Sequence, residues 1–126
     1  MNFPDNLKYT NDHEWIRAEA GVGTVGITDY AQGELGDIVF VDLPKIGRKV
    51  KKGESFGTIE AVKAVSDLYA PVGGEVVAVN DQLDKRSESV NKDPYESGWM
   101  IRIKLSDPRE LDALLDAGRY RALIGK

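Results

Sequence analysis

Apolar and polar positions along this chain form short runs broken by glycine, proline and clusters of acidic residues. Residues 14–28, Glu-Trp-Ile-Arg-Ala-Glu-Ala-Gly-Val-Gly-Thr-Val-Gly-Ile-Thr, alternate and then turn. Gly21-Val-Gly23 lies between two strand-like stretches, which predicts a hairpin. Thr28 and Asp29 are good caps for a short helix through Leu35 that Gly36 would end. Residues 37–43, Asp-Ile-Val-Phe-Val-Asp-Leu, predict a strand, and Pro44 closes it because it has no N–H for a ladder. Further strands are predicted at residues 56–59, 75–79 and 99–105. A Pro71-Val-Gly-Gly74 turn, a polar and part-helical stretch over 80–92, and a turn at 93–98 separate them. Asp107-Pro-Arg-Glu110 has a cap residue, proline at the first helical position and glutamate in the capping-box place. With Leu111, Leu114 and Leu115 on one face it predicts a helix over 108–117 that Gly118 ends, followed by a short turn over 120–124.

Many short strands with Gly/Pro turns and helices only as accessories point to a small β sandwich or barrel. Strands and long helices do not alternate, which disfavours a nucleotide-binding α/β sheet. Gly21-Val-Gly23 with Gly26 has a superficial likeness to a phosphate loop, but no helix follows where one is needed. Residues 58–70 resist a local reading. Glu60, Ala61, Lys63, Ala64 and Leu68 are fair helix formers, whereas Thr58, Ile59, Val62, Val65 and Tyr69 prefer strands. No Gly, Asn or Pro marks a turn at Val62-Lys63, so local propensity predicts a helix over 58–68 about as well as a hairpin.

The length of 126 residues predicts one domain spanning 1–126. A formal net charge of -4 argues against a broad nucleic-acid surface and a polybasic membrane anchor. The pairs Lys51-Lys52 and Lys85-Arg86 read as solvated surface. With no cysteine, the chain has no disulfide, thiolate nucleophile or thiolate metal site, and any sulfur chemistry would have to arrive on a cofactor. A single histidine, His13, argues against a zinc centre, and the metal expectation is none. The amino-terminal residues lack the apolar region of a signal peptide and do not read as a transit peptide, so the expectation is a cytoplasmic protein.

The residue with most chemical promise is Lys63, set among small and apolar neighbours in Ile59-Glu-Ala-Val-Lys63-Ala-Val-Ser-Asp-Leu-Tyr-Ala-Pro71. Taken locally, an ordinary exposed lysine explains it. The run, however, resembles the lipoyl-attachment segment of the glycine cleavage H-protein family. Tyr9-Thr-Asn-Asp-His-Glu-Trp15, Val25-Gly-Ile-Thr-Asp-Tyr-Ala-Gln32, Leu35-Gly-Asp-Ile-Val-Phe-Val41, Gly73-Gly-Glu-Val-Val77 and Asp93-Pro-Tyr95 with Gly98-Trp99 resemble it too, in the same order. The likeness covers residues 7–124.

The resemblance implies a mainly β fold, a flattened barrel-sandwich hybrid of two antiparallel sheets with short peripheral helices and a C-terminal helix. It overrules the local helix and makes Val62-Lys63 the tip of a hairpin. It implies a non-catalytic carrier whose Lys63 is amide-linked to lipoate, an arm of about ten bonds and on the order of 12 Å. Implied partners are a pyridoxal-phosphate glycine decarboxylase that loads an aminomethyl group, an aminomethyltransferase using tetrahydrofolate, a dihydrolipoyl dehydrogenase, and lipoyl-attaching enzymes. Glu60, Val62 and Ala64 would serve recognition of the attachment site. Glu14 and Asp67 match positions near a cleft that docks the cationic loaded arm, with carboxylates suited to hold an amine. His13 reads as a capped or packed side chain. Trp15, Phe40, Phe56 and Trp99 read as core, and Asp29, Tyr30 and Gln32 as fixing the short helix. Ala61 stands where the family usually has serine, which leaves room for a lipoate-relay carrier serving 2-oxo-acid dehydrogenase complexes. A biotin carrier would have methionines around the lysine. A 2-oxo-acid dehydrogenase lipoyl domain would have aspartate before it and a long Ala/Pro linker. An enzyme would need a convergent set of acid, base and nucleophile.

Overall fold

The computed structural model describes residues 1–126. Nine strands run β1 (Lys8–Tyr9), β2 (Glu14–Glu19), β3 (Val22–Ile27), β4 (Ile38–Asp42), β5 (Lys49–Val50), β6 (Ser55–Ala61), β7 (Val65–Tyr69), β8 (Gly74–Val79) and β9 (Ile101–Leu105). They form a six-stranded sheet in the order β1-β2-β3-β9-β8-β5 and a three-stranded sheet β4-β6-β7, all pairs antiparallel. Alternation sends one side of each strand inward. Ile16, Val25, Val76, Ile101 and Ile103 from the larger sheet thus meet Val41, Phe56, Ile59 and Leu68 from the smaller one in a shared core. The expected sandwich of two antiparallel sheets is the observed architecture.

Helix α1 (Asp29–Leu35) links the sheets and has the expected ends. The Thr28 hydroxyl accepts from the Ala31 N–H, and Gly36 terminates the helix at φ 81°. α2 (Ser89–Lys92) and a 3-10 turn (Asp81–Asp84) fill the part-helical stretch.

The expectation for 108–117 is corrected. Asp107 caps a 3-10 turn over Pro108–Ala113, and the α-helix is α3 (Ala117–Ile124), which runs through Gly118. Two competing demands decide this. Leu115 exchanges both backbone hydrogen bonds with Tyr9, at 2.8 Å each, so the chain is extended there. Asp116 then caps a new helix by accepting from the Arg119 N–H, and Gly125, left-handed at φ 75°, ends it. Glu110 leaves the capping-box position and accepts from the Gly73 N–H at 2.8 Å.

The core assignments divide. Trp15 and Phe56 are fully buried. Trp99 is half-buried beneath the Arg102 guanidinium, 4.3 Å from its ring centroid. Phe40 is 45% exposed, because the β4 register slips between Ile38 and Phe40 and leaves Val39 and Phe40 outside while Val41 points inward.

A second cluster closes one end. Tyr9 stacks on Tyr120 with centroids 4.8 Å apart, and Phe3, Leu7, Trp15, Tyr95 and Ala117 pack around them. This cluster ties the amino-terminal segment and α3 to the edge of the larger sheet.

Candidate functional site

The segment that local propensity left open is a hairpin. β6 pairs with β7 from Ser55↔Tyr69 to Glu60↔Val65, and Val62 and Lys63 make the loop. The Ala61 N–H donates to the Ala64 carbonyl at 2.8 Å, and the Val62 N–H donates to the Asp37 carbonyl at 3.0 Å, pinning the tip to the entry of β4. Neither loop residue has positive φ. A tip built this way needs no glycine or asparagine, which is why no turn signal marks it.

Ala61 is 9% exposed and faces the core, whereas Val62, Lys63, Ala64 and Glu60 are all exposed. Lys63 makes none of the ion pairs of the structure. Its stem lies over Gly36: a β-carbon there would sit 3.3 Å from Lys63 Cε and 3.8 Å from Nζ. Gly36 therefore serves twice, as the positive-φ end of α1 and as the floor over which the lysine lies.

The stem runs at the end of α1 that borders a cleft of about 300 Å³. Tyr30, Glu34 and Leu35 of α1 line one side, and Ser66, Asp67 and Leu68 of β7 line the other. Asp12, His13 and Glu14 complete it. Glu14 and Asp67, expected to act together, do line one cavity. Asp12, Glu34 and Tyr30 join them without having been singled out for it. Asp12 is adjacent to the His-Glu pair, but only the fold brings the middle of α1 opposite β7.

Glu14 is the most perturbed group there. It is 2% exposed, accepts from the Thr10 hydroxyl at 2.9 Å and from the Tyr69 N–H at 3.3 Å, and forms no ion pair. Burial pushes its carboxyl up to about 8, against the pull of those hydrogen bonds and with a small upward contribution from Asp12. Glu14 faces a cleft whose other ionisable lining is Asp12, Glu34 and Asp67 with His13 and Tyr30, a lining rich in carboxyls that suits a cationic guest.

His13 is packed as expected, and it also lines the cleft. Its Nδ1 lies 2.9 Å from the Tyr120 hydroxyl, its ring is 5.1 Å from that of Tyr30, and burial lowers its pKa. The Tyr120 hydroxyl also meets Thr28 Oγ1 at 2.7 Å, so α3, the cap of α1 and the cleft wall share one network. Asp29 and Gln32 fix α1 as expected: Asp29 accepts from the Asn2 N–H and from Gln32 Nε2, and Gln32 accepts from Asn91 Nδ2.

A sandwich of two antiparallel sheets that displays one lysine on a tight hairpin, beside a cleft of arm-sized volume, defines a carrier protein of the lipoyl or biotinyl type. The profile of the glycine cleavage H-protein family matches residues 7–126. Glycine cleavage system H proteins of Bacteroides fragilis and Bacteroides thetaiotaomicron are 59% and 56% identical over 124 residues, with 98% of each chain covered. That of Staphylococcus carnosus is 52% identical over 126 residues, the full length of both. A crystal structure of a glycine cleavage system H protein from Mycobacterium marinum superposes with a TM-score of 0.92 at 38% identity, covering 98% of this chain and all of that one. The chain belongs to the glycine cleavage H-protein family, the non-catalytic lipoyl-carrying shuttle of the glycine cleavage system. No helix is long and apolar enough to cross a membrane.

Proposed function

We propose that Lys63 is the lipoyl attachment point, that the chain acts as one carrier unit over residues 1–126, and that the cleft beside α1 shelters the loaded arm. The observation that carries this reading is the place of Lys63, exposed on the hairpin tip with its stem over Gly36, the residue after Leu35, which lines a cleft with Asp12, Glu14, Glu34 and Asp67. The residues present suit the group: the lysine is exposed, unpaired and followed by small Ala64, and the cleft has room for a slender chain.

Lipoate held by Lys63 would supply a dithiolane, the redox-active group able to carry an aminomethyl unit between glycine decarboxylase and the aminomethyltransferase, with dihydrolipoyl dehydrogenase as its oxidant. The protein does the rest. The hairpin holds Lys63 clear of the backbone so that attaching enzymes reach Nζ, with Glu60, Val62 and Ala64 presented around it. Leu35, Ile59 and Leu68 offer apolar contact to a hydrocarbon stem. Asp67 and Glu14 receive the cationic amine, and as the cation arrives Glu14 gives its proton to solvent, so that its carboxylate compensates the buried charge. Enclosure there keeps water from an aminomethyl sulfide prone to hydrolysis. The partners work in the cytoplasm on this reading.

The test is a reconstituted glycine decarboxylation assay with the lipoylated protein and with Lys63→Arg. Loss of all carrier-dependent turnover with the arginine form is the expected outcome, and retained turnover would overturn the assignment.

A further inference from the structure

The outer face of the three-stranded sheet is explained neither by the core nor by the cleft. Val39, Phe40, Val62 and Val65 are 55%, 45%, 74% and 64% exposed, and they are four of the eight large apolar side chains left exposed on the whole surface. All four lie on β4, on β7 or at the tip between β6 and β7. Cross-strand register makes one row of Phe40, Glu60 and Val65, and a neighbouring row of Asp42, Thr58 and Asp67. The slip in β4 gathers Val39 and Phe40 on the outside together. Apolar clusters of this kind on a surface mark sites of contact.

The charges on this face have one sign. β4 and β6 contribute Asp42 and Glu60, Asp37 enters β4, Asp67 of β7 stands where the face meets the cleft, and no lysine or arginine lies on any of the three strands. The cation at the tip is Lys63, whose charge disappears on amide formation; Arg48 lies at the other end of β6, where it donates to the Ser55 carbonyl. The patch is continuous with the tip, since Val62 adjoins Lys63 and Val65 follows two residues on. Any site that receives the arm surrounds this tip and covers what lies next to it.

We propose that this acidic, apolar-centred face is the surface by which the chain seats on the glycine-decarboxylating partner, against an apolar patch ringed by lysine and arginine; the proposal rests on the reading of Lys63 as the carrier lysine. That partner must bind both a substrate carboxylate and a cofactor phosphate, so the approach to its active site is cationic. The apolar centre fixes the seat and the carboxylates draw the two together, with an attraction that salt weakens.

Two measurements test it. In the first, lipoylated Phe40→Ser/Val65→Ser is titrated into the decarboxylation assay. The concentration for half-saturation is expected to rise about tenfold or more with kcat within about twofold, as removal of a buried anchor pair requires. Val77→Ser and Leu123→Ser, at exposed apolar positions elsewhere, are expected to leave it unchanged. In the second, which needs no lipoylation, unmodified Lys63→Arg protein competes with the lipoylated parent. Its inhibition constant is expected to rise by a similar factor when Phe40→Ser/Val65→Ser is added, and to rise with ionic strength in the parent background but less with Glu60→Gln. If Lys63→Arg is inactive yet inhibits equally with and without the two serines, the docking surface is overturned and the carrier reading stands. If Lys63→Arg supports turnover, the carrier reading itself fails.

Discussion

At the scale of single residues, Glu14 and Gly36 carry the sharpest expectations. Glu14 has a folded-state pKa of about 8 against 4.5 for an unperturbed carboxyl. Between those values the folded protein holds a proton that the unfolded chain releases. Stability from this group is therefore fully present below pH 4.5 and is lost as pH rises through about 8. The loss is on the order of 3 kcal/mol after discounting for relaxation. Denaturant titrations at pH 5 to 9 are expected to show this decline in the parent and a nearly flat profile in Glu14→Gln; equal slopes would refute it. On the proposed role of Glu14, the same exchange is expected to speed loss of the aminomethyl group in a timed assay of the loaded protein, since an amide cannot ionise to hold the amine. Gly36→Ala puts a β-carbon where φ is 81° and 3.3 Å from Lys63 Cε. A cost of about 1 kcal/mol in stability is expected, together with slower lipoylation of a displaced lysine. Thermal unfolding and a timed mass assay read the two effects separately.

At the scale of elements, one network ties α1, α3 and the cleft wall together. The Thr28 hydroxyl caps α1 through Ala31 N–H and meets the Tyr120 hydroxyl, which also meets His13. Tyr120→Phe leaves the buried Thr28 hydroxyl and the half-buried His13 ring each short of a partner and is expected to cost about 1–2 kcal/mol. Amide exchange should rise in α1 and around His13 more than in β8 and β9. Uniform acceleration would mean that the network does not hold α1 in place.

The elements also show where the sequence was readable. The β2–β3 hairpin, α1 with Thr28 and Gly36, and the strands around β4 and β9 announced themselves through alternation, caps and glycine. The attachment hairpin did not, because a loop without positive φ needs no special residue and its alanines suit a helix equally. Only the resemblance to the family made it a hairpin. The 108–117 helix misled for a different reason. Its caps and leucines were sound locally, but Leu115 is held extended by Tyr9, a partner no local signal reveals. Phe40 turned outward on a bulge, which leaves no local mark either.

For the whole molecule, the two sheets share one core and leave the working parts at one end. The hairpin tip, the carboxyl end of α1 and the cleft lie together there, while the Tyr9–Tyr120 stack and α3 brace the edge of the larger sheet. Glu14 and Asp67 were paired from the resemblance, whereas Asp12, Glu34 and Tyr30 reached the cleft only through packing. Ala61, where the family usually has serine, points into the core. A hydroxyl there lies beneath the tip and out of reach of an attaching enzyme, so Ala61→Ser is expected to leave the lipoylation rate within about twofold and to cost up to about 1 kcal/mol in stability.

The attachment itself is tested most directly by intact-mass spectrometry with site mapping, on parent and Lys63→Arg protein expressed with lipoate supplied. A single lipoyl-amide increment on Lys63 of the parent, absent from the arginine form, is the expected result. An increment on another lysine, or none where a control H protein is fully lipoylated, would contradict the account.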